Sequence, residues 1–181
     1  MKNQVTQLFG RISPPPNGLP LWNLFAGSIT PPGMALNQDF KEFLELLNKH
    51  EVKYLVVGGY SVAIHGHPRY TKDIDVWILT NRDNAKALLD ALDEFGFGSL
   101  DLSVEDFETP GQVIQLGNAP ARIDILTSLT GVDFDVCWEN KITVEDEGLA
   151  YPVISLSDLR VNKRALGRHQ DLADLEELGD D

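Results

Sequence analysis

The sequence predicts an α/β (α+β) fold in which helices flank a central sheet. Short apolar runs that suit buried strands, such as 54–57 and 74–78, alternate with segments whose apolar residues recur at helical spacing, such as 40–47 and 85–95. At 181 residues the chain is long enough for one domain with a proper core and too short for two large ones. We therefore expect a single domain built on one sheet.

The first 36 residues differ from the rest of the chain. Three consecutive prolines from Pro14 and the run Pro31-Pro32-Gly33 break helices and strands repeatedly. We expect a proline-rich arm over residues 1–36 and the domain over 37–181. The apolar residues of the arm could dock on the domain or on a second chain. The alternatives are a mobile tail and a native start at Met34.

Turn and capping residues delimit the elements in the first half of the domain. Asn37 or Asp39 can cap the first helix, Asn81 or Asp83 can cap a later one, and Gly96 is suited to end it. The predicted elements in chain order are a helix from 39, a strand at 54–57, a short helix at 60–65, a strand at 73–78 and a core helix at 85–95.

The second half of the domain shows the same alternation. The predicted elements are strands at 113–116 and 121–126 joined by a turn, strands at 142–144 and 151–154, and a helix that opens with a capping pattern at 155–158. Along that helix Arg160, Arg164 and Arg168 are spaced by four, with Lys163 beside them, which predicts a basic stripe on one side. For any single arginine, a solvated helix face is the competing interpretation. The triplet that contains Asp133 and Asp135 is predicted to lie in a loop.

The pair Gly58-Gly59 and the triplet Asp73-Ile74-Asp75 are the most informative residues of the chain. In a strand alternate side chains share a face, so Asp73 and Asp75 point the same way while Ile74 points into a core. Two carboxylates on one face repel each other unless a cation lies between them. A Gly-Gly pair alone is typical of an ordinary turn, and an Asp-x-Asp alone of a solvated strand end. Their conjunction favours a metal and phosphate site.

The glycine turn, the Asp-x-Asp strand and a third carboxylate, Asp124, on a later predicted strand resemble the nucleotidyltransferases of the polymerase-beta superfamily. The fuller string, with Thr71 and Lys72 before the aspartates, is similar to the abortive-infection type IV toxin-like branch. The small antitoxin branch usually has Gly-Ser at the turn, where this chain has Gly59. The resemblance extends from about residue 39 onward. It implies a polymerase-beta-like fold with a mixed sheet flanked by helices.

The resemblance also implies roles for individual residues. Asp73, Asp75 and Asp124 become the catalytic residues and the ligands of Mg²⁺ or Mn²⁺. Lys163 is expected to contact the triphosphate from a late helix, and its replacement is expected to leave the stability of the free protein unchanged. The nucleotide-binding candidates are Gly58, Gly59, Ser61, Arg69, Thr71, Lys72, Lys163 and Asp171.

Composition restricts the partners. A formal net charge of −13 argues against broad nucleic-acid binding through a basic surface, so an RNA acceptor would need a local basic patch. A single cysteine, Cys137, excludes a disulfide framework and favours a reducing, cytoplasmic location. No apolar run approaches the length of a membrane span, so no membrane association is expected.

The expected function is transfer of a nucleoside monophosphate from a nucleoside triphosphate to a hydroxyl group. The acceptor stays open among a transfer RNA, a protein and a small molecule, and the toxin-like resemblance adds a cognate antitoxin as a partner. The alternative is a non-catalytic member of the fold that acts as a binding or antitoxin-like regulatory module. The presence of all three aspartates favours catalysis.

Overall fold

The computed structural model describes residues 36–67, 71–118 and 122–179. The predicted arm, apart from Leu36, and the candidate Arg69 lie outside the described residues. Helices within these ranges are α1 (Gln38–Lys49), α2 (Gly58–Ile64), α3 (Arg82–Leu92), α4 (Val104–Glu108), α5 (Phe134–Asn140), α6 (Leu156–Leu166) and α7 (His169–Leu178). Strands are β1 (Tyr54–Val57), β2 (Asp73–Ile78), β3 (Val113–Leu116), β4 (Arg122–Leu126), β5 (Ile142–Asp146) and β6 (Leu149–Val153).

The six strands form one mixed sheet in the order β3-β4-β2-β1-β6-β5. β2 runs parallel to β4, and β1 runs parallel to β6. The pairs β1–β2, β3–β4 and β5–β6 are antiparallel. The predicted mixed sheet flanked by helices is therefore confirmed, and the strand of Asp124 neighbours the Asp-x-Asp strand as expected.

The two faces of the sheet bury different apolar clusters. On one face Ile74, Val76 and Ile78 of β2 pack with residues of α1 and α3 such as Phe43 and Leu88, all of them fully buried. The opposite face carries a second cluster, whose members include Leu55, Val57, Trp77, Phe134, Ile154, Leu159 and Leu178. Because side chains alternate along β2, Asp73 and Asp75 lie on the same face as Trp77. The carboxylates therefore continue the surface on which α5, α6 and α7 pack.

Side-chain caps set several helix starts, as the sequence predicts. The Asn37 side chain accepts a hydrogen bond from the Phe40 amide, and that of Asn81 accepts one from the Asn84 amide, both at 2.8 Å. At the start of α6 the Ser155 hydroxyl accepts one from the Asp158 amide at 3.1 Å.

Two expectations about the second half need correction. The triplet lies in a loop only at Asp133, whose side chain accepts hydrogen bonds from the Asp135 and Val136 amides and caps α5, whereas Asp135 lies in the first turn of α5. The basic stripe is also wrong, because α6 ends at Leu166 with Gly167 in a left-handed conformation (φ 61°). Arg168 is the N-cap residue immediately before α7, so it is not on the same helix as Arg160 and Arg164.

None of the helices in the described ranges is both long enough and apolar enough to cross a membrane.

Candidate active site

The sheet register brings the three predicted catalytic carboxylates together. Asp75 of β2 stands directly beside Asp124 of β4, and Asp73 stands beside Arg122 two residues earlier on β4. Neighbouring strands lie about 4.8 Å apart, so the side chains at these positions are within reach of one another. Asp124 is buried, whereas Asp73 and Asp75 are half-buried at the edge of the packed surface.

The turn after β1 is shaped around Asp75. Gly58 has a φ of +62°, and a Cβ atom placed on it would lie 1.9 Å from Oδ2 of Asp75. Only glycine combines that backbone conformation with so close an approach. The amide of Gly59 donates a hydrogen bond to the Asp75 carboxylate. The two halves of the motif noted in the sequence are therefore in direct contact, and α2 begins at Gly58 rather than at residue 60.

Asp75 lies in an environment that disfavours a negative charge. Its pKa is raised to about 6, first by burial and then by the charges of Asp73 and Asp124. The hydrogen bond from Gly59 and the charge of Lys163 oppose this rise without cancelling it. Burial and the neighbouring carboxylates therefore both favour the neutral form of Asp75, and a cation bound beside it would favour the charged form.

Arg122 is a site residue that the sequence did not reveal. Its Nε donates to Oδ1 of Asp124 at 2.7 Å, its Nη2 donates to Oδ2 of Asp124 at 2.9 Å, and Nη2 also donates to Oδ2 of Asp73. These hydrogen bonds and the charges of the carboxylates raise the pKa of the guanidinium further. The signal that could have found it is simple. Arg122 precedes Asp124 by two residues in a strand, so both side chains share one face.

Asp75 and Asp124 line a cavity of about 510 Å³, together with Gly58. The lining also includes Lys163, which comes from α6, and Arg168, which comes from the α6–α7 junction. Gly111, Gln112, Val113 and residues 128–130 contribute to the wall. Negative and positive side chains thus line one space, which suits a ligand that carries phosphate and metal.

Lys163 differs from its expected setting because it is buried rather than on a basic surface. Its Nζ forms ion pairs with Asp171 Oδ1 at 2.9 Å and Asp174 Oδ2 at 2.8 Å. Arg168 also pairs with Asp171, at 2.6 Å. Burial acts to raise the pKa of Asp171, but the hydrogen bonds from Arg168 and Lys163 hold it below its usual value. Asp171 therefore anchors the two cations that line the cavity, and its role in nucleotide binding stays a prediction.

The remaining predicted nucleotide ligands, Ser61, Thr71 and Lys72, have different surroundings in the structure. The buried Ser61 hydroxyl donates to the carbonyl of Gly58 at 2.8 Å, as a residue of the helix start would. The Thr71 hydroxyl donates to Oδ1 of Asp73 at 2.9 Å and so orients that carboxylate. Lys72 is exposed. The roles assigned to these residues stay predictions.

The donor set suits Mg²⁺ or Mn²⁺, which prefer carboxylate oxygens. Within the ranges that the structure describes, no group of three His, Cys, Asp or Glu side chains is already arranged around a metal position. Arg122 donates hydrogen bonds to oxygens of both Asp73 and Asp124. The residues fit a divalent cation in kind, provided that Arg122 moves.

A mixed sheet that carries three carboxylates beside a glycine turn defines a protein of the nucleotidyltransferase class. The chain belongs to the family described as "Nucleotidyltransferase of unknown function (DUF6036)", whose model matches residues 34–179. Its fold is similar to that of a crystal structure from Thermotoga maritima described as a "putative nucleotidyltransferase". That match has a TM-score of 0.53 and 19% identity, and covers 80% of this chain and 95% of the other. No curated protein matches the chain.

Replacing Gly58 by alanine should destabilise the protein more than a left-handed conformation alone explains. Gly148 provides the matched control, because it has a φ of +87° and nothing within 4 Å of an added Cβ. We expect Gly148→Ala to lower the free energy of unfolding by about 1 kcal/mol. Gly58→Ala should cost about 2 kcal/mol more, because the Asp75 side chain must shift. Equal losses for the two variants in urea denaturation would contradict the close contact with Asp75.

Replacing Lys163 by alanine should also destabilise the free protein, contrary to the expectation from sequence. The substitution would leave the buried carboxylates of Asp171 and Asp174 without their shared cation. We expect a loss of about 3 kcal/mol in the free energy of unfolding. The exposed Lys72 gives the control, since Lys72→Ala should change that free energy by less than about 0.5 kcal/mol. Similar denaturation midpoints for both variants would show that the ion pairs contribute little.

Proposed function

We propose that the protein is a metal-dependent nucleotidyltransferase that moves a nucleoside monophosphate from a nucleoside triphosphate to a hydroxyl acceptor. The observation that carries the proposal is the register of β2 and β4, which sets Asp75 beside Asp124, against Gly58 and at the mouth of the cavity. Family membership supports the class of reaction.

In the proposed reaction Asp73, Asp75 and Asp124 would hold Mg²⁺ or Mn²⁺. When bound, the ion neutralises charge on the phosphates and acidifies the attacking hydroxyl. Gly58 lines the cavity, and its missing side chain leaves room there for the Asp75 carboxylate that would bind the ion. Asp124 is the carboxylate proposed to assist in deprotonating the acceptor.

The bond changes follow from in-line displacement. The acceptor oxygen forms a bond to the α-phosphorus, the bond between that phosphorus and the bridging oxygen breaks, and pyrophosphate leaves with the bond electrons. Lys163 and Arg168 line the same cavity as Asp75 and Asp124 and would provide positive charge for the departing phosphates. The protein contributes mainly orientation and charge neutralisation.

The acceptor class is part of the proposal. The similarity of the turn and Asp-x-Asp string to the abortive-infection type IV toxin-like branch favours a transfer RNA as acceptor, in the cytoplasm and with a cognate antitoxin as a partner. A protein or small-molecule acceptor would use the same site. A chain with a net charge of −13 would have to meet an RNA through a local basic patch.

One observation favours a second candidate function. Arg122 already neutralises Asp73 and Asp124 within the protein, so the sheet can carry these carboxylates without any metal. A non-catalytic member of the fold that binds a nucleotide or a partner would have this property. Such a module would bind a triphosphate and transfer nothing.

Transfer and binding distinguish the two candidates. The protein is incubated with each α-labelled nucleoside triphosphate, Mg²⁺ or Mn²⁺ and total cellular RNA, protein or small-molecule fractions. We expect label in one fraction, and at least about a hundredfold loss of transfer in Asp73→Asn and Asp75→Asn because phosphoryl charge is no longer neutralised. Asp135→Asn is the matched control, since Asp135 belongs to the other Asp-x-Asp and lies exposed at the start of α5.

Stabilisation by the ligand separates the outcomes. At about one hundred times the dissociation constant, a triphosphate with metal should stabilise the folded protein by about 2.7 kcal/mol. Stabilisation without label in any fraction would support the non-catalytic module. Full transfer by the Asp73→Asn and Asp75→Asn variants would reject the assigned site.

A further inference from the structure

Arg122 occupies a position that is fixed by the sheet. It is the first residue of β4, it lies opposite Asp73 on β2, and it shares a face with Asp124. The backbone therefore holds the base of this long side chain between the two carboxylates. Its location does not depend on a loop.

The Arg122 guanidinium donates hydrogen bonds to the carboxylate oxygens that would be ligands of a metal ion. Both carboxylate oxygens of Asp124 accept a hydrogen bond from Arg122, and Oδ2 of Asp124 also accepts one from Nε2 of Gln115 at 3.2 Å. Oδ2 of Asp73 accepts another from Arg122, while Oδ1 accepts from Thr71. This fork of parallel donors is the strongest way in which an arginine binds carboxylate. A divalent cation would therefore compete with Arg122 for these oxygens.

We propose that Arg122 is a resident counter-cation that competes with divalent metal for Asp73 and Asp124 and is displaced when metal binds. The inference rests on the proposed metal-dependent function, and it adds a positioning residue to that site. With Arg122 in place the sheet can hold three neighbouring acidic residues in the absence of metal. With Arg122 displaced the same oxygens become ligands.

The surroundings allow the displacement. The Arg122 side chain is 34% exposed, so it can turn toward solvent without opening either apolar cluster. The ion pairs of Lys163 contrast with this, because that side chain is only 4% exposed and is enclosed by Asp171 and Asp174. Of the cations near the carboxylates, Lys163 and Arg168 are tied to Asp171 and remain when Arg122 leaves. The exchange therefore concerns one side chain.

Competition has a measurable consequence for metal affinity. If the guanidinium covers the carboxylates most of the time, the apparent affinity for metal is reduced by the fraction of molecules in which they are free. Removing the guanidinium should restore the intrinsic affinity. It should also leave the metal-free protein less stable, because the carboxylates then repel each other with no cation between them.

The test measures binding of Mn²⁺ alone, without nucleotide, from the electron paramagnetic resonance signal of the free ion. We expect Arg122→Gln to bind Mn²⁺ at least about tenfold more tightly than the wild-type protein. Its melting temperature should fall below that of the wild type without metal, and saturating Mn²⁺ should recover the difference. Arg82→Gln is the matched control, because Arg82 pairs with Glu108 on the surface at 3.2 Å and should not alter Mn²⁺ binding.

A second variant keeps the test decisive. Arg122→Lys retains the charge but not the fork, so its Mn²⁺ affinity should lie between those of the wild type and Arg122→Gln. If Arg122→Gln does not fold by circular dichroism, Arg122→Lys must still bind Mn²⁺ more tightly than the wild type. If the wild-type protein binds Mn²⁺ as tightly as the folded variants, or more tightly, this inference alone is overturned. No Mn²⁺ binding by any form at millimolar concentration would overturn the proposed metal-dependent function as well.

Discussion

The concentration of like charge on one face of the sheet is the constraint on which the rest of the site depends. Asp75 and Asp124 stand in register on parallel strands, and Asp73 shares their face. Burial and mutual repulsion raise the pKa of Asp75 to about 6. The unusual features nearby each accommodate this negative charge or offset it. Gly58 gives the Asp75 carboxylate room, the Gly59 amide donates to it, and cations approach from two directions.

The two groups of cations serve the site in different ways. Lys163 is buried with Asp171 and Asp174, so its ion pairs join α6 to α7 and hold a fixed wall of the cavity. Arg122 is partly exposed and binds the carboxylates themselves. Removing one partner of a buried ion pair is costly, whereas a half-exposed side chain can exchange its partner for another ion. The rigid pairs shape the cavity, and the exchangeable pair governs access to the acidic oxygens.

Local rules were enough to predict the alternation of strands and helices and the position of the carboxylates, whereas the mixed sheet was expected from the family resemblance. Strand alternation placed Asp73 and Asp75 on one face, and the apolar run around Asp124 predicted its strand. The features that depend on tertiary packing were not predicted. The end of α6 at Gly167 moved Arg168 into another element, and the burial of Lys163 and Asp171 depends on how α7 folds back. Arg122 followed the alternation rule, but a contact across two strands 49 residues apart in sequence requires the register between them.

A crystal structure with Mn²⁺ and a non-hydrolysable triphosphate analogue would test the central claim most directly, because anomalous scattering locates manganese independently of the protein. The account predicts a manganese peak bound by Asp73, Asp75 and Asp124, the triphosphate in the cavity that Gly58 lines, and Arg122 turned away from Asp73 and Asp124. Manganese and triphosphate bound elsewhere, with Arg122 still paired to Asp73 and Asp124, would contradict it.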